Sequence, residues 1–116
     1  MTAKALWHLE ETHWTSGRDA ARATTAPDAI TITIFPYPAG ILQGDAAWAH
    51  PQADTGWRSI EMLERSATLR GDVAVLAYRM AAEKPGLAIY RALCASTWVR
   101  DGASWLRVFH QQTPVP

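Results

Sequence analysis

The side chain best suited to chemistry in this sequence is His110, because histidine can give or take a proton near neutral pH. Gln112 lies two residues further along and shares its face on a strand, where it could orient a substrate carbonyl. Tyr78 and Tyr90 could donate hydrogen bonds to an oxyanion, as tyrosines do in apolar isomerase pockets. The sequence therefore makes His110 and Tyr78 the catalytic candidates. The alternative is that these groups are buried and satisfied by neighbouring polar atoms.

Large aromatic side chains are unusually frequent, with six Trp in the chain. Most should fill the core, but ligand cavities in proteins are themselves mostly apolar and aromatic. We expect a ligand pocket to draw on the following residues: Trp14, Phe35, Trp57, Tyr90, Trp98 and Gln112.

Composition restricts the classes of function. The 116 residues fit a single domain spanning 1–116, and 11 basic residues balance 11 acidic ones, which argues against a nucleic-acid partner. Cys94 is the sole cysteine and the histidines lack a zinc-binding spacing, so we expect neither a metal nor another cofactor. No segment has the apolar length of a signal-peptide core or a membrane span, so a cytoplasmic location without membrane contact is expected.

The elements that must position these residues follow from periodicity. Helical spacing of Ala5, Leu6, Leu9 and His13 predicts a helix over residues 3–15, followed by a short one ending near Thr25. The β-branched run 30–35 predicts a first strand. Four further strands, joined by tight turns into an antiparallel meander, are predicted over 57–69, 73–83, 87–100 and 105–113.

The strand over 73–83 is apolar on both faces. Val73 and Val75 alternate with Ala74 and Leu76, whereas a sheet with one wet face should alternate apolar with polar residues. We therefore expect the helices to cover one face and a second subunit to cover the other, giving a homodimer through the sheet.

The C-terminal run Ala95–Pro114 resembles the last hairpin of the nuclear transport factor 2-like superfamily, in particular ketosteroid-isomerase-related small bacterial proteins of unknown function. It has an aromatic strand, the turn Asp101-Gly102, Trp105 opening the final strand, and His110 followed by polar residues and Thr113-Pro114. The segments around Trp14, 35–42, 73–78 and 90–92 agree in order. The resemblance implies an α+β fold, cystatin-like, in which a cone-shaped, curved antiparallel sheet wraps around N-terminal helices and encloses an apolar cavity.

Two features depart from that pattern. Leu106 precedes Arg107 where a basic residue is expected directly after Trp105, which leaves open which face of the last strand points inward. The carboxylate pair of a ketosteroid isomerase has no counterpart, because Glu61 and Glu64 fall on opposite faces of a regular strand. Arg91 and Arg107 are expected to pair with these glutamates or to lie at an edge.

The turn at Asp101-Gly102 allows two registers. A two-residue turn sets Trp98 opposite Trp105, and a three-residue turn sets Cys94 opposite His110. The leading hypothesis for function is a domain that binds a small apolar ligand, with acid/base isomerase, lyase or cyclase chemistry on a carbonyl compound left open. The alternative is a non-catalytic dimerisation or protein-interaction module.

Overall fold

A computed structural model describes residues 3–33, 40–49 and 57–115 of the chain. Two helices come first, and a sheet of six strands follows. The elements are α1 (Ala3–Thr15), α2 (Arg18–Ala23), β1 (Thr25–Thr33), β2 (Gly40–Gln43), a 3-10 helix (Gly44–Trp48), β3 (Ser59–Arg70), β4 (Val73–Glu83), β5 (Tyr90–Asp101) and β6 (Ser104–Pro114). The predicted α+β class with helices preceding a curved sheet is confirmed.

The strand order in the sheet is β2-β1-β6-β5-β4-β3. Strands β3 to β6 form the predicted antiparallel meander. β1 joins β6 in parallel and β2 in antiparallel fashion, so the complete sheet is mixed.

The helices pack on one face of the sheet only. On β4 the side chains from Ala74 to Ala82 alternate between buried and exposed, and the buried set includes Leu76 and Tyr78. Val73 and Val75 point to the other face and are 41% and 44% exposed. The helices therefore cover one of the two apolar faces of strand β4, as predicted.

The buried face of α1 differs from the predicted one. Leu6, Trp7, Glu10 and Trp14 are buried, whereas Ala5 is exposed. The predicted stripe shares Leu6 with the observed face but omits the buried glutamate. Physically, the helix is rotated so that its two tryptophans, which have the most apolar surface to remove from water, face the sheet.

The last hairpin adopts neither predicted register. Asp101 pairs with Ser104 and Arg100 with Trp105, so the turn residues are Gly102 and Ala103. Gly102 has φ +63°, a left-handed conformation that glycine adopts without a side-chain clash. The turn is therefore one residue later than Asp101-Gly102.

A β-bulge on β6 then changes the register again. Trp98 pairs with Arg107 but Thr97 pairs with Phe109, which leaves Val108 as the extra residue. Residues three apart on a regular strand face opposite sides. Because of the bulge, Arg107 and His110 both face the helices, and this settles the inward face of the last strand.

Several predicted boundaries are also wrong. The first strand starts at Thr25 rather than at Ile30, and the fourth strand of the predicted meander starts at Ser104. β3 starts at Ser59 and β5 at Tyr90, so Trp57 and Leu87 lie outside the strands. Strand β4 matches its predicted bounds.

Candidate functional site

A carboxylate lies at the centre of the interface between α1 and the sheet. Glu10 is fully buried, with 0% of its surface exposed. Leu6, Glu10 and Trp14 follow each other at intervals of four residues, which places them on one face of the helix. The packing of the two apolar neighbours against the sheet therefore carries the glutamate into the core.

Side chains from three strands donate hydrogen bonds to this carboxylate. Trp98 Nε1 donates to Oε1 at 2.9 Å. Tyr78 and Ser96 donate their hydroxyl protons to Oε2, each at 2.6 Å. Arg107 Nη1 approaches Oε2 at 3.3 Å and forms a salt bridge in which its own side chain is only 12% exposed. We refer to Glu10, Tyr78, Ser96, Trp98, Arg107 and His110 as the Glu10 network.

These donors keep Glu10 ionised. Burial alone would raise its pKa, but the charge of Arg107 and the hydrogen bonds from Ser96, Tyr78 and Trp98 outweigh burial and hold the pKa below its usual value. Burial and the neighbouring carboxylate raise the pKa of Tyr78 well above its usual value. Tyr78 therefore stays protonated, and its proton is committed to Glu10.

His110 adjoins the carboxylate through Ser96. Its Nδ1 lies 2.6 Å from Ser96 Oγ and 3.5 Å from Glu10 Oε2. The two residues are cross-strand partners in the β5–β6 register, so the sheet itself sets this contact. Burial and the positive charge of Arg107 lower the pKa of His110 well below its usual value, so the ring is neutral at physiological pH.

The other ring nitrogen of His110 is covered by Gln112. Its Nε2 lies 3.1 Å from the amide nitrogen of Gln112, and the amide oxygen of Gln112 accepts a hydrogen bond from Tyr90 at 2.9 Å. Gln112 is partly exposed, whereas His110 is only 3% exposed. The amide thus lies between the imidazole and solvent.

Aromatic rings flank this end of the site. The ring of Trp14 packs edge-on against His110 with centroids 5.8 Å apart, and Trp57 stacks on Tyr90 at the same distance. Lys84 Nζ lies 4.9 Å from the centroid of the Trp57 ring. Burial lowers the pKa of Lys84. We call Trp14, Trp57, Tyr90, Gln112 and the Nε2 edge of His110 the candidate pocket.

The predicted site residues therefore separate into two groups. Trp14, Trp57, Tyr90, Gln112 and His110 come together at the candidate pocket. Tyr78 and Trp98 lie deeper and bind Glu10. Phe35 lies outside the described residues.

The predicted partners of the strand arginines are wrong in one case. Arg107 pairs with Glu10 on α1 and not with a glutamate of β3. Glu64 is instead the partner of Arg79 on the neighbouring strand. The sequence did not indicate that the β6 bulge turns Arg107 inward.

Sequence reasoning missed Glu10 and Ser96 altogether. For Glu10 a signal was present, because it stands midway between Leu6 and Trp14 on one helical stripe. A charged residue in such a stripe indicates a buried charge that needs partners. Ser96 gave no comparable signal, since serine occurs freely on both faces of strands.

Three further observations concern the surroundings of the site. Within residues 3–33, 40–49 and 57–115, no three His, Cys, Asp or Glu side chains cluster as metal ligands. Over the same ranges, no helix combines the length and apolar character needed to cross a bilayer. A surface depression of about 430 Å³ lies at the β3–β4 edge, lined by Glu61, Glu83 and Arg91 among others, and contains no residue of the candidate pocket.

Comparison with known proteins adds information on the fold. No protein-family model matches the sequence, and neither does any curated protein. Solved structures do match. A protein from Cytophaga hutchinsonii described as nuclear transport factor 2-like aligns with TM-score 0.79 and 8% identity, covering 99% of each chain. The chain has the nuclear transport factor 2-like fold.

Other solved structures with this fold carry different functional names. A candidate ketosteroid isomerase from Parabacteroides distasonis aligns with TM-score 0.77 and 13% identity, over 95% of this chain and 85% of that one. A candidate Ca/calmodulin-dependent kinase II association domain from Exiguobacterium sibiricum aligns with TM-score 0.76 and 17% identity, over 100% and 96%. At these identities the likeness extends to the nuclear transport factor 2-like fold and no further.

Proposed function

We propose that this protein binds a small, largely apolar ligand at the candidate pocket, with His110 as the group able to exchange a proton with it. The observation that carries the proposal is the placement of His110. Its Nε2 is covered by the partly exposed amide of Gln112 and by aromatic rings, while the opposite side of the ring is held by buried partners. An imidazole held by buried partners on one side, and separated from solvent on the other by a partly exposed amide, would meet a ligand once that amide moves, as proton exchange requires.

The surrounding residues suit an apolar ligand with one polar group. Trp14, Trp57 and Tyr90 line this end of the site with aromatic rings that are themselves buried, and the partly exposed Gln112 amide provides the polar atoms. Burial raises the pKa of Tyr90 to about 12, so its hydroxyl remains a donor at physiological pH. A ligand carbonyl could accept a hydrogen bond from the Gln112 amide nitrogen, which supports isomerase, lyase or cyclase chemistry as the type of reaction to test.

Nuclear magnetic resonance of selectively labelled protein tests this proposal. A panel of small aromatic compounds is titrated while the indole signals of Trp14 and Trp57 and the ring signals of His110 are followed. We expect at least one compound to perturb these signals saturably, and the Trp57→Ala variant to weaken that binding. Trp48→Ala is the matched control, since Trp48 lies on the 3-10 helix near Arg22. A panel without any saturable perturbation at His110 would contradict ligand binding at this site.

A second candidate function, self-association, rests on the outer face of the sheet. Val73, Val75 and Leu93 are exposed there at 41%, 44% and 43%. Between them the side chains are small, with Ala77 paired to Ala95, which lets a second sheet approach closely. Several solved structures with this fold are named as hub or association domains, including one from Chlamydomonas reinhardtii (TM-score 0.71, 14% identity, 99% and 100% coverage).

The occupant we propose for this face is a second copy of the chain. Among the charged residues of this face, Arg79 is paired with Glu64 and Arg91 lines the same depression as Glu61, so each positive charge is accompanied by a negative one. Sedimentation velocity at micromolar concentration should detect a dimer. Val75→Lys should produce the monomer, whereas Leu87→Lys, which alters an equally exposed residue outside the strands, should leave the dimer intact. A monomeric native protein would rule this candidate out.

A further inference from the structure

The direction of each hydrogen bond around His110 can be assigned, starting from the carboxylate. An ionised Glu10 can only accept hydrogen bonds, and the Ser96 hydroxyl has one proton to give. Ser96 Oγ lies 2.6 Å from both Glu10 Oε2 and His110 Nδ1. The serine proton therefore goes to Glu10, and the proton between Ser96 and His110 must belong to Nδ1.

The same reasoning extends to the pocket side of the ring. A neutral imidazole with its proton on Nδ1 has a bare lone pair on Nε2. The Gln112 amide group 3.1 Å away is then oriented with its nitrogen towards Nε2, which leaves its oxygen to accept from Tyr90. All four hydrogen bonds run in one direction, from the tyrosine hydroxyl to the buried carboxylate.

From this geometry we infer that Glu10 and Ser96 act as positioning residues which make His110 Nε2 a hydrogen-bond acceptor, so that the pocket selects ligands presenting an O–H or N–H donor to it. The inference rests on the proposed function and defines its ligand class. A hydroxyl or N–H group can take the place of the Gln112 amide at Nε2. A carbonyl or ether oxygen placed there would face another lone pair, leaving a buried acceptor unsatisfied.

A carbonyl group on the same ligand would bind at a different point of the candidate pocket. Once displaced from Nε2, the Gln112 amide group still carries its own N–H donors and lies beside the Tyr90 hydroxyl. The structure thus separates an acceptor point at His110 from a donor point at the Gln112 amide, because the single Tyr90 proton is already donated to Gln112 Oε1. Ligands that carry a donor and an acceptor close together, such as phenols or enols with a neighbouring carbonyl, match both.

Three probes of similar size separate these possibilities. Phenol has a donor, anisole has the same ring with the donor methylated, and acetophenone has only an acceptor. Binding is followed through the ¹⁵N signals of the His110 ring in wild-type protein, Gln112→Ala and Ser96→Ala. Gln112→Ala uncovers Nε2, so it should bind phenol more tightly than wild type does.

We expect phenol to shift the Nε2 signal and to bind about ten-fold more tightly than anisole or acetophenone, the effect of one buried hydrogen bond. The preference should shrink in Ser96→Ala, where Nδ1 is no longer obliged to hold the proton. If that variant does not fold, the wild-type comparison decides by itself.

The possible failures are distinguishable. Acetophenone or anisole binding at His110 as tightly as phenol would overturn the donor preference and leave the proposed binding site standing. Absence of binding by any probe to wild type and to Gln112→Ala would overturn both.

Discussion

Glu10 Oε2 and Ser96 Oγ lie 2.6 Å apart, although 86 residues separate them in the chain. The contact joins the first helix to the middle of the sheet and gives a buried charge one of its four donors. Because Ser96 Oγ also contacts His110 Nδ1, the contact with the carboxylate determines which way the serine hydroxyl points at His110. Both the stability of the fold and the chemistry of the candidate pocket therefore depend on the same carboxylate.

Neutralising Glu10 should destabilise the protein strongly. In Glu10→Gln, Arg107 loses its counter-ion at a position that is only 12% exposed. Breaking a buried ion pair from one side costs about 3–5 kcal/mol. Urea denaturation followed by circular dichroism measures the loss. Glu11→Gln, an exposed neighbour on the same helix, is the control and should stay within about 0.5 kcal/mol of wild type.

The Arg107→Met exchange tests the same pair from the other side. Added to Glu10→Gln, it removes the stranded charge, so the double variant should be more stable than Glu10→Gln alone. Equal losses for Glu10→Gln and Glu11→Gln would show that Glu10 carries no buried charge.

The free energy of unfolding should fall as the solution is acidified. Burial lowers the pKa of His110 well below its usual 6.5 and that of His13 to about 2, so both rings take up a proton on unfolding once the pH drops below 6.5. Glu10, whose pKa is also lowered, adds a further uptake below its usual 4.5. Each proton taken up contributes a slope of about 1.4 kcal/mol per pH unit.

Urea denaturation repeated over about three pH units, from about pH 7 to about pH 4, measures this slope. His13→Gln should reduce it by about one proton. Stability that is flat or rises on acidification would mean that the histidines are not held neutral.

Comparison of two buried tryptophans measures how much an indole hydrogen bond contributes to the free energy of unfolding. Trp98 and Trp105 are 0% and 4% exposed, but Trp98 Nε1 donates to Glu10 whereas Trp105 Nε1 has no hydrogen-bond partner among the described residues. Trp98→Phe should therefore cost about 1.5–3 kcal/mol more than Trp105→Phe, the range for hydrogen bonds to charged groups. Equal losses in thermal or urea denaturation would contradict the assignment of the Trp98 bond.

Cys94 should be inert towards thiol reagents in the folded protein. It is 4% exposed, and burial together with the charge of Glu10 raises its pKa to about 12. Because the thiolate is the reactive form, a disulfide reagent should modify Cys94 only as fast as the protein unfolds. Ser104→Cys places a second thiol at an exposed position, which should react at once. Rapid labelling of native Cys94 would show that its strand opens readily.

Much of the fold could be predicted from local sequence. The sequence from Val73 to Glu83 predicts both ends of strand β4 and its two apolar faces, and the helical periodicity of α1 predicts the length of that helix. These features depend on periodicity and turn residues, which act over a few positions. The position of the last hairpin in the chain was equally clear.

The site was harder to predict because it depends on register and rotation. A bulge at Val108 decides that Arg107 and His110 share a face, and a one-residue difference in the turn decides the partners of Trp98. Local sequence does not determine either. The burial of Glu10 depends on which stripe of α1 meets the sheet, and the tryptophans settle that by tertiary packing.

The ¹⁵N spectrum of the His110 ring is the most direct test of the Glu10 network, because protonated and bare ring nitrogens resonate apart and no ligand is needed. At neutral pH we predict a neutral ring with its proton on Nδ1 and a bare Nε2, and a loss of that fixed pattern in Ser96→Ala. A proton on Nε2, or a doubly protonated ring at neutral pH, would contradict the proposed direction of hydrogen bonding from Tyr90 to Glu10.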